Sequence, residues 1–424
     1  MKKLNSGFQI SILFAAVALV LLSAPKQSLA GWADTLPKHG MVIETSFLSN
    51  VVRTQFDEKR QEEPLAEIDM YAPTGEFLGT IVANAEALTQ TLVTQIAVGV
   101  TDRLTMAIAI PLVTHRQVDL GLDWEEGDFS NDLGRPYSED DFWAWAGSMG
   151  QDKPPDWMDT DATVGDIILV LLYNFVNRPR FAFTTMGFVN TGSGEDPDPE
   201  ILGAYGTTMF DFGFMGDIGL HALIDFKFPE TRFLKRVTLG LEPYYEHFWD
   251  RRYKAPTGRD NPLISNDAPY IGDHYPMQPG DYFGYNAGIH VELIKGPKKP
   301  SWLTRSNPEF QAMMPAILSL DLLFSHMLSF DSIYESKSEV WNDEKEEDNA
   351  AADKFTLGGK VTLSLLRYGI PLDIYAKYSN QEIIAGKNFT PIIGWGLGAR
   401  IYYSLDFFPL DQLKKNIGTP KMWF

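Results

Sequence analysis

The residue types that most often carry enzyme chemistry are present in this chain, but they do not form recognisable catalytic motifs. The sequence holds 7 histidines and no cysteine, which excludes thiol catalysis, zinc–thiolate sites and disulfides. His221, His290 and His326 lie outside any motif, and neither a Gly-x-Ser-x-Gly elbow nor a His-x-x-x-His spacing occurs. The sequence therefore predicts no catalytic residue, no metal site and no cofactor.

A different set of charged residues alternates with apolar residues along extended segments. These candidates for a pore lining are Asp211, Asp217, His221, Asp225, Glu242, His290, Glu292, Asp321, Lys360, Lys377, Arg400 and Asp406. A Lys or Arg that faced lipid at mid-membrane would cost about 2–4 kcal/mol, so we expect these side chains to face the interior of a barrel. They either line a pore of mixed charge or form salt bridges that fill a narrow interior, and the sequence leaves both alternatives open.

The elements that must position these residues show a period of two. From Ile393 to Phe407 every second residue is apolar, and the residues between them are mostly small or polar. This pattern indicates strands with one apolar face. The predicted strands are 41–53, 87–101, 103–118, 162–176, 180–191, 205–228, 233–252, 281–295, 313–335, 354–367, 370–384 and 391–407. A soluble β-sandwich is the alternative, but its strands would be shorter.

The first thirty residues are typical of a secretory signal peptide. Lys2 and Lys3 precede an apolar run that is too short to span a bilayer, and Ser28-Leu29-Ala30 fits a cleavage site. We therefore predict a signal peptide over residues 1–30, a barrel over 31–409 and a periplasmic tail over 410–424. The short segment that precedes the first strand leaves no room for a plug domain, so a plug would have to come from loop 54–86 or loop 119–161.

The predicted connections alternate between tight turns and long segments in which acidic residues predominate. An even strand number with this alternation is the pattern of an outer-membrane barrel. The sequence thus predicts an all-β, transmembrane, antiparallel up-and-down barrel of about 12 strands with long acidic extracellular loops. The chain carries 36 Lys and Arg against 56 Asp and Glu, an excess of negative charge that argues against nucleic-acid binding.

Three aromatic residues in the longest acidic loop are candidates for the place where a solute enters the barrel. They are Phe142, Trp143 and Trp145. Aromatic side chains also form girdles at membrane interfaces, and packing within the loop or girdle is the alternative interpretation that we favour.

Several short motifs resemble the outer-membrane proteins of the phenol meta-pathway type. Val100–Leu104, Gly165–Ile167 with Tyr173–Phe175, and Thr191–Glu195 match their "G-V-T-D-R-L", "G-D-x-x-L-x-x-K-Y-x-F" and "P-T-G-x-G" segments. Asn190 stands where that last motif has proline. The resemblance covers residues 98–215 and implies an outer-membrane channel or transporter for small, often aromatic or apolar, compounds.

These observations predict a non-enzymatic channel in the outer membrane of a Gram-negative bacterium, for passive or facilitated passage of small apolar or aromatic solutes. Expected partners are the solute, outer-membrane lipid, lipopolysaccharide bridged through divalent cations, and the barrel-assembly machinery. Two alternatives remain: a barrel that acts as a scaffold or sheath for a periplasmic or surface partner, and an outer-membrane hydrolase.

Overall fold

The computed structural model of the chain describes most of the region between residues 33 and 405. The described ranges are 33–64, 66–71, 76–119, 121–127, 135–148, 157–160, 162–193, 217–228, 236–248, 251–254, 274–278, 280–294, 316–330, 333–334 and 351–405. The predicted signal peptide and the predicted tail lie outside these ranges, so both domain assignments stay predictions.

Twelve antiparallel strands close into a barrel. In chain order they are β1 (Gly40–Val52), β2 (Glu86–Thr101), β3 (Leu104–Asp119), β4 (Ile168–Arg178), β5 (Phe181–Asn190), β6 (Asp217–Phe228), β7 (Val237–Phe248), β8 (Tyr282–Ile294), β9 (Leu318–Ser329), β10 (Ala352–Ser364), β11 (Leu372–Asn380) and β12 (Ile393–Ser404). Each strand pairs with its neighbours in sequence, and β1 pairs with both β2 and β12. The ring is therefore complete, and no barrel edge is left unpaired in lipid.

The predicted all-β antiparallel barrel and its strand number are confirmed, and the differences concern strand ends. The acidic character of the long loops stays a prediction. The fourth strand, predicted over 162–176, instead begins at Ile168, because Thr163–Val164 forms a separate short strand against β3. The sixth strand, predicted over 205–228, is described only from Asp217 onward. Alternation locates a strand well, whereas its ends depend on where the pairing with neighbours stops.

Side-chain alternation explains why these segments form a membrane barrel. On β12, Trp395 and Leu397 are 47% and 55% exposed on the outer surface, while Gly398 and Arg400 on the opposite face are buried. The barrel strands are 9 to 16 residues long, sufficient for a tilted strand to cross the hydrocarbon core, which takes about nine to eleven. An apolar outer band on a closed barrel places the protein in the bacterial outer membrane.

One end of the barrel, the short-turn end, carries the tight connections between strands. At the β2–β3 turn, the hydroxyl of Thr101 accepts hydrogen bonds from the backbone N–H groups of Arg103 and Leu104 at 3.2 and 3.0 Å. A 3₁₀ turn at Leu366–Tyr368 joins β10 to β11 and ends at Gly369. Gly369 has a φ of 83°, a left-handed conformation that glycine adopts without steric cost. Short turns of outer-membrane barrels face the periplasm, so we assign this end to that side.

The opposite end, the long-loop end, carries a small folded unit outside the barrel. Its sheet consists of Ala66–Tyr71, Phe77–Ala83 and Leu122–Glu126. Helix α1 (Glu139–Ser148) follows. The hydroxyl of Ser138 accepts the N–H of Asp141, and the Asp141 carboxylate accepts the N–H of Ser138 at 3.0 Å, so a reciprocal cap fixes the start of α1.

The remaining regular elements are short strands in the long connections. They are Thr54–Phe56, Glu62–Pro64, Trp157–Thr160, Arg251–Lys254, His274–Gln278 and Ile333–Tyr334. Within the described part of the chain, no helix is both long and apolar enough to cross a membrane.

Candidate functional site: the barrel interior

The predicted pore-lining residues that the structure describes all lie on the inner face of the barrel. They are Asp217, His221 and Asp225 on β6, Glu242 on β7, His290 and Glu292 on β8, Asp321 on β9, Lys360 on β10, Lys377 on β11 and Arg400 on β12. Asp211 and Asp406 lie outside the described residues. The strand register thus brings the charged set together, and its role in lining an open path stays a prediction.

Arg400 lies at the centre of a buried polar network in the interior. Its Nε donates to Oε2 of Glu44 at 2.7 Å, and its guanidinium also lies 3.9 Å from Asp373. The hydroxyls of Tyr375 and Tyr402 donate to Glu44 and Asp373 at 2.6 and 2.5 Å. One cation therefore lies between two carboxylates on β1 and β11. Each carboxylate also accepts a hydrogen bond from a tyrosine hydroxyl, which offsets part of the cost of removing these charges from water.

The small residues of β12 make room for this network. A Cβ added at Gly398 would lie 2.3 Å from the ring of Tyr375, so a larger residue there would displace the phenol from Glu44. Close packing against neighbouring side chains therefore explains why glycine occurs on the polar face of β12.

A second network crosses β6, β7 and β8 around His221. Its Nδ1 lies 2.7 Å from Glu242, and its Nε2 lies 3.3 Å from Glu246. The imidazole stacks on Tyr244 at a centroid distance of 5.0 Å, and Asn286 donates to Glu242 at 3.1 Å. Both ring nitrogens face carboxylates, so the inner wall here is held together by hydrogen bonds between strands.

A third network links β8, β9 and β10. Asp321 lies 2.7 Å from Nδ1 of His290 and 3.4 Å from the ammonium of Lys360. Glu292 lies 3.8 Å from Arg236 at the start of β7. Much of the predicted lining is thus paired across strands, which favours a narrow, internally bonded interior over a wide aqueous bore.

The segment before β1 fills the short-turn end of the interior, contrary to the expectation that a plug would have to come from a loop. Ala33 and Leu36 are completely buried. The backbone N–H of Ala33 donates a hydrogen bond to the carboxylate of Asp225 at 3.0 Å, and its carbonyl accepts one from the side-chain amide of Asn174 at 3.0 Å. The ammonium of Lys227 binds Asp34 at 2.7 Å. A few residues can obstruct the barrel because inner-face side chains satisfy their polar groups, so no separate domain is required.

Apolar contacts complete this N-terminal plug, which we define as residues 33–37. Leu36 packs into a buried cluster with Val42, Ala97 and Tyr402, and its N–H donates to Thr105 at 2.8 Å. Burying a leucine side chain contributes about 1.5–3 kcal/mol. The plug is therefore held by both hydrogen bonds and hydrophobic packing.

At the long-loop end the interior carries an aromatic cluster beside the acidic residues Asp217 and Glu246. Tyr244, Phe248, Tyr282 and Met327 form a buried cluster, and Phe248 meets Tyr282 edge to face at 4.5 Å. These four residues, here called the aromatic wall, lie on the inner faces of β7, β8 and β9. Its rings and thioether form a polarizable, apolar part of the interior.

The connection between β11 and β12 folds over this end of the barrel. Phe389 is 4% exposed, and its ring lies 5.4 Å from that of Phe56. Gln381 donates to the hydroxyl of Thr356 at 3.2 Å, so this connection is tied to the inner face of β10. Residues 381–392 therefore form a partial cover.

Beneath this cover lies Lys354, which the sequence analysis did not single out. It occupies an inner-face position of β10 opposite Met327 of the aromatic wall and is 4% exposed. Its ammonium lies 5.9 Å from the centre of the Phe389 ring. Among the described residues, Nζ of Lys354 has no hydrogen-bond partner.

Phe142 of α1, a candidate for the place where a solute enters, lies in the core of the loop unit. It is 3% exposed, contacts Ile81 and stacks on Trp124 at 5.3 Å. Trp143 meets it edge to face and donates to Glu139 at 3.2 Å. Packing accounts for both rings, while the side chain of Trp145 lies outside the described residues. A role in solute entry stays a prediction.

Electrostatics at α1 stabilise its cap. Arg135 binds both carboxylate oxygens of Asp141 at 2.6 and 2.9 Å. This interaction, together with the hydrogen bonds from Ser138, lowers the pKa of Asp141 to about 2 and raises the pKa of Arg135. In the cover, burial raises the pKa of Glu382.

His326, which the sequence leaves without a motif, faces outward rather than into the barrel. Its Nε2 lies 2.7 Å from Asp353, which also pairs with Arg60, and its ring stacks on Phe355 at 4.5 Å. It is therefore part of the outer rim. In the described residues, no group of three or more His, Cys, Asp or Glu side chains could hold a metal ion.

The sequence analysis did not single out Glu44, Asp373, Lys354 or the plug. Glu44 and Asp373 lie on the polar faces of predicted strands, so side-chain alternation could have placed them inside. Nothing local identifies the plug, because Ala33 meets partners that lie 141 to 192 residues away in the chain.

No protein-family model and no curated protein sequence matches this chain, so the resemblance to the phenol meta-pathway proteins is not confirmed. Solved structures do match. The COG4313 outer membrane channel from Pseudomonas putida F1 has a TM-score of 0.51 and 9% identity, over 89% of this chain and 100% of that one. The translocator domain of the autotransporter NalP from Neisseria meningitidis (TM-score 0.39, 8% identity) covers 86% and 90%. At these identities, the COG4313 match shows that this chain has the fold of an outer-membrane β-barrel.

Proposed function

We propose that this protein is an outer-membrane channel that passes small solutes by passive or facilitated transport along a restricted path. The observation that carries the proposal is a closed barrel whose inner face bears paired charges while a short plug fills one end. The structurally similar protein from Pseudomonas putida is named a channel, which supports a channel role.

The restricted path distinguishes this proposal from a general porin. Arg400, His221 and Lys360 are each held by carboxylates inside the barrel, so these three side chains are not free to attract hydrated ions. Apolar or aromatic solutes would instead meet the aromatic wall at the long-loop end. Passage to the periplasm would then require the plug to shift, because it occupies the short-turn end.

Single-channel recording of the refolded protein in a planar bilayer tests this proposal. We expect discrete ohmic steps, smaller than those of a wide porin, from a preparation whose gel mobility changes on boiling as that of a folded barrel does. If a folded barrel stays silent, even after its plug is deleted, the channel proposal is wrong. A sheath for a partner protein would then be the better description.

A further inference from the structure

We propose that Lys354 and the aromatic wall form a binding site for small aromatic carboxylates at the long-loop end of the barrel. The ammonium would bind the carboxylate group, and the wall would contact the ring. This inference rests on the proposed function only in that it names the class of solute the channel would admit.

Lys354 differs from three other inner-face cations in its surroundings. Lys227, Lys360 and Arg400 each have a carboxylate within 3.4 Å. Lys354 is as deeply buried as Arg400, yet among the described residues its ammonium has no hydrogen-bond partner. Burying an unpaired ammonium is costly unless an anion offsets it, and an arriving carboxylate would supply that anion.

Asp353 and Glu246, two acids at this end of the barrel, already have partners. Asp353, the preceding residue, projects to the outer face and pairs with Arg60 and His326. Glu246, the inner-face carboxylate beside Tyr282, lies 3.3 Å from His221. Among the described residues, neither carboxylate accepts a hydrogen bond from the ammonium of Lys354, which leaves that group available to a ligand.

Aromatic and thioether side chains lie around the ammonium of Lys354. Met327 lies directly opposite Lys354 on β9 and belongs to the aromatic wall. On the other side, the face of Phe389 lies 5.9 Å from Nζ. A ligand that reaches the ammonium must therefore pass aromatic and thioether surfaces, which favour a flat ring. A ring with one carboxylate fits both features, whereas a dicarboxylate or a sugar phosphate would bring additional charge into an apolar site.

Isothermal titration of the refolded full-length barrel in detergent with benzoate tests the site. Benzamide, which has the same shape without the charge, is the matched ligand. We expect benzoate to bind more tightly than benzamide, and Lys354→Met to weaken benzoate binding about tenfold or more, because a charge-assisted hydrogen bond is lost. Lys59→Met is the control variant, since it removes an exposed lysine at the same end and should leave binding unchanged.

Thermal unfolding provides a second measurement that does not depend on a weak heat signal. Because Lys354→Met removes an unpaired buried charge, the variant should fold and be at least as heat-stable as the original chain. Benzoate should raise the melting temperature of the original chain but not that of the variant. If benzoate and benzamide bind equally, or if Lys354→Met leaves benzoate binding unchanged, the inference is overturned.

These outcomes are separate from those of the proposed function. A barrel that binds benzoate through Lys354 but never conducts would retain the site and contradict the channel. A barrel that conducts but shows no charge-dependent binding would retain the channel and contradict the site.

Discussion

The two ends of the barrel are closed by different chemistry. At the short-turn end, the plug forms hydrogen bonds to inner-face side chains of the barrel strands, and the nearby Arg400 is held by two carboxylates. At the long-loop end, backbone hydrogen bonds to Phe56 and Asp353 hold the cover together with the packing of Phe389 on Phe56. Beneath it, the ammonium of Lys354 lacks a hydrogen-bond partner among the described residues. A fully satisfied polar network favours one conformation, whereas a buried ammonium without a partner is stabilised when an anion reaches it. The difference suggests that binding takes place at the long-loop end and that the short-turn end restricts release.

The largest expected effect comes from removing the plug. A chain that begins at Lys38 loses the contacts of Ala33, Asp34 and Leu36, so the short-turn end should open. Single-channel recording should show conductance that is at least severalfold higher and open times that are longer. Asp34→Asn, which keeps the segment but removes its ion pair with Lys227, should give an intermediate result.

If deletion left the conductance unchanged, the plug would not restrict the path, and the comparison between the two ends would fail. Gel mobility before and after boiling shows whether each variant has folded.

The second prediction concerns the ionic network near the short-turn end. Arg400→Met leaves Glu44 and Asp373 buried without their cation, and breaking such a network costs about 3–5 kcal/mol. The midpoint of urea-induced unfolding in lipid vesicles should fall accordingly. Arg53→Met is the matched control, because the Arg53–Glu86 pair is 57% and 43% exposed, and such pairs contribute about 0–1 kcal/mol.

A double variant sharpens this test. Combining Arg400→Met with Glu44→Gln removes one of the uncompensated charges and should recover part of the lost stability. Equal destabilisation by Arg400→Met and Arg53→Met would mean that the interior is wet enough to screen its charges, which contradicts a narrow bonded interior.

The sequence predicts those features of the fold and site that depend on residues close together in the chain. Strand positions and the inner face of β12 follow from residues two apart, so alternation was sufficient to place Arg400 inside. The plug has no such pattern, because Ala33 is positioned only by distant partners such as Asp225. The lack of a hydrogen-bond partner for Lys354 could not be predicted either, because it depends on which carboxylates of other strands are already paired.

The third prediction separates the loop unit from the barrel. Phe142→Ala removes a ring that is buried against Ile81 and Trp124, a change that costs about 3–5 kcal/mol in a packed core. Because the ring packs in the loop unit, we expect faster proteolysis within residues 119–161 without a change in the heat stability of the barrel. Ala144→Ser, at an exposed position of the same helix, is the control. A fall in barrel stability would show that the loop unit supports the barrel itself.

The smallest expected effect is the pH dependence of the α1 cap. The pKa of Asp141 in the folded protein is about 2, against about 3.9 for an unperturbed aspartate. Because the folded pKa is depressed, the ionised carboxylate stabilises α1 above about pH 4. This stabilisation is lost as the pH falls through the folded pKa. The helical band in far-ultraviolet circular dichroism should therefore weaken between about pH 4 and pH 2. Asp141→Asn should lose most of that dependence, and because the Arg135–Asp141 pair is partly exposed, the change should be small. An identical pH profile in the two proteins would mean that other carboxylates control the long-loop end, and the cap would then have no part in how that end differs from the plugged one.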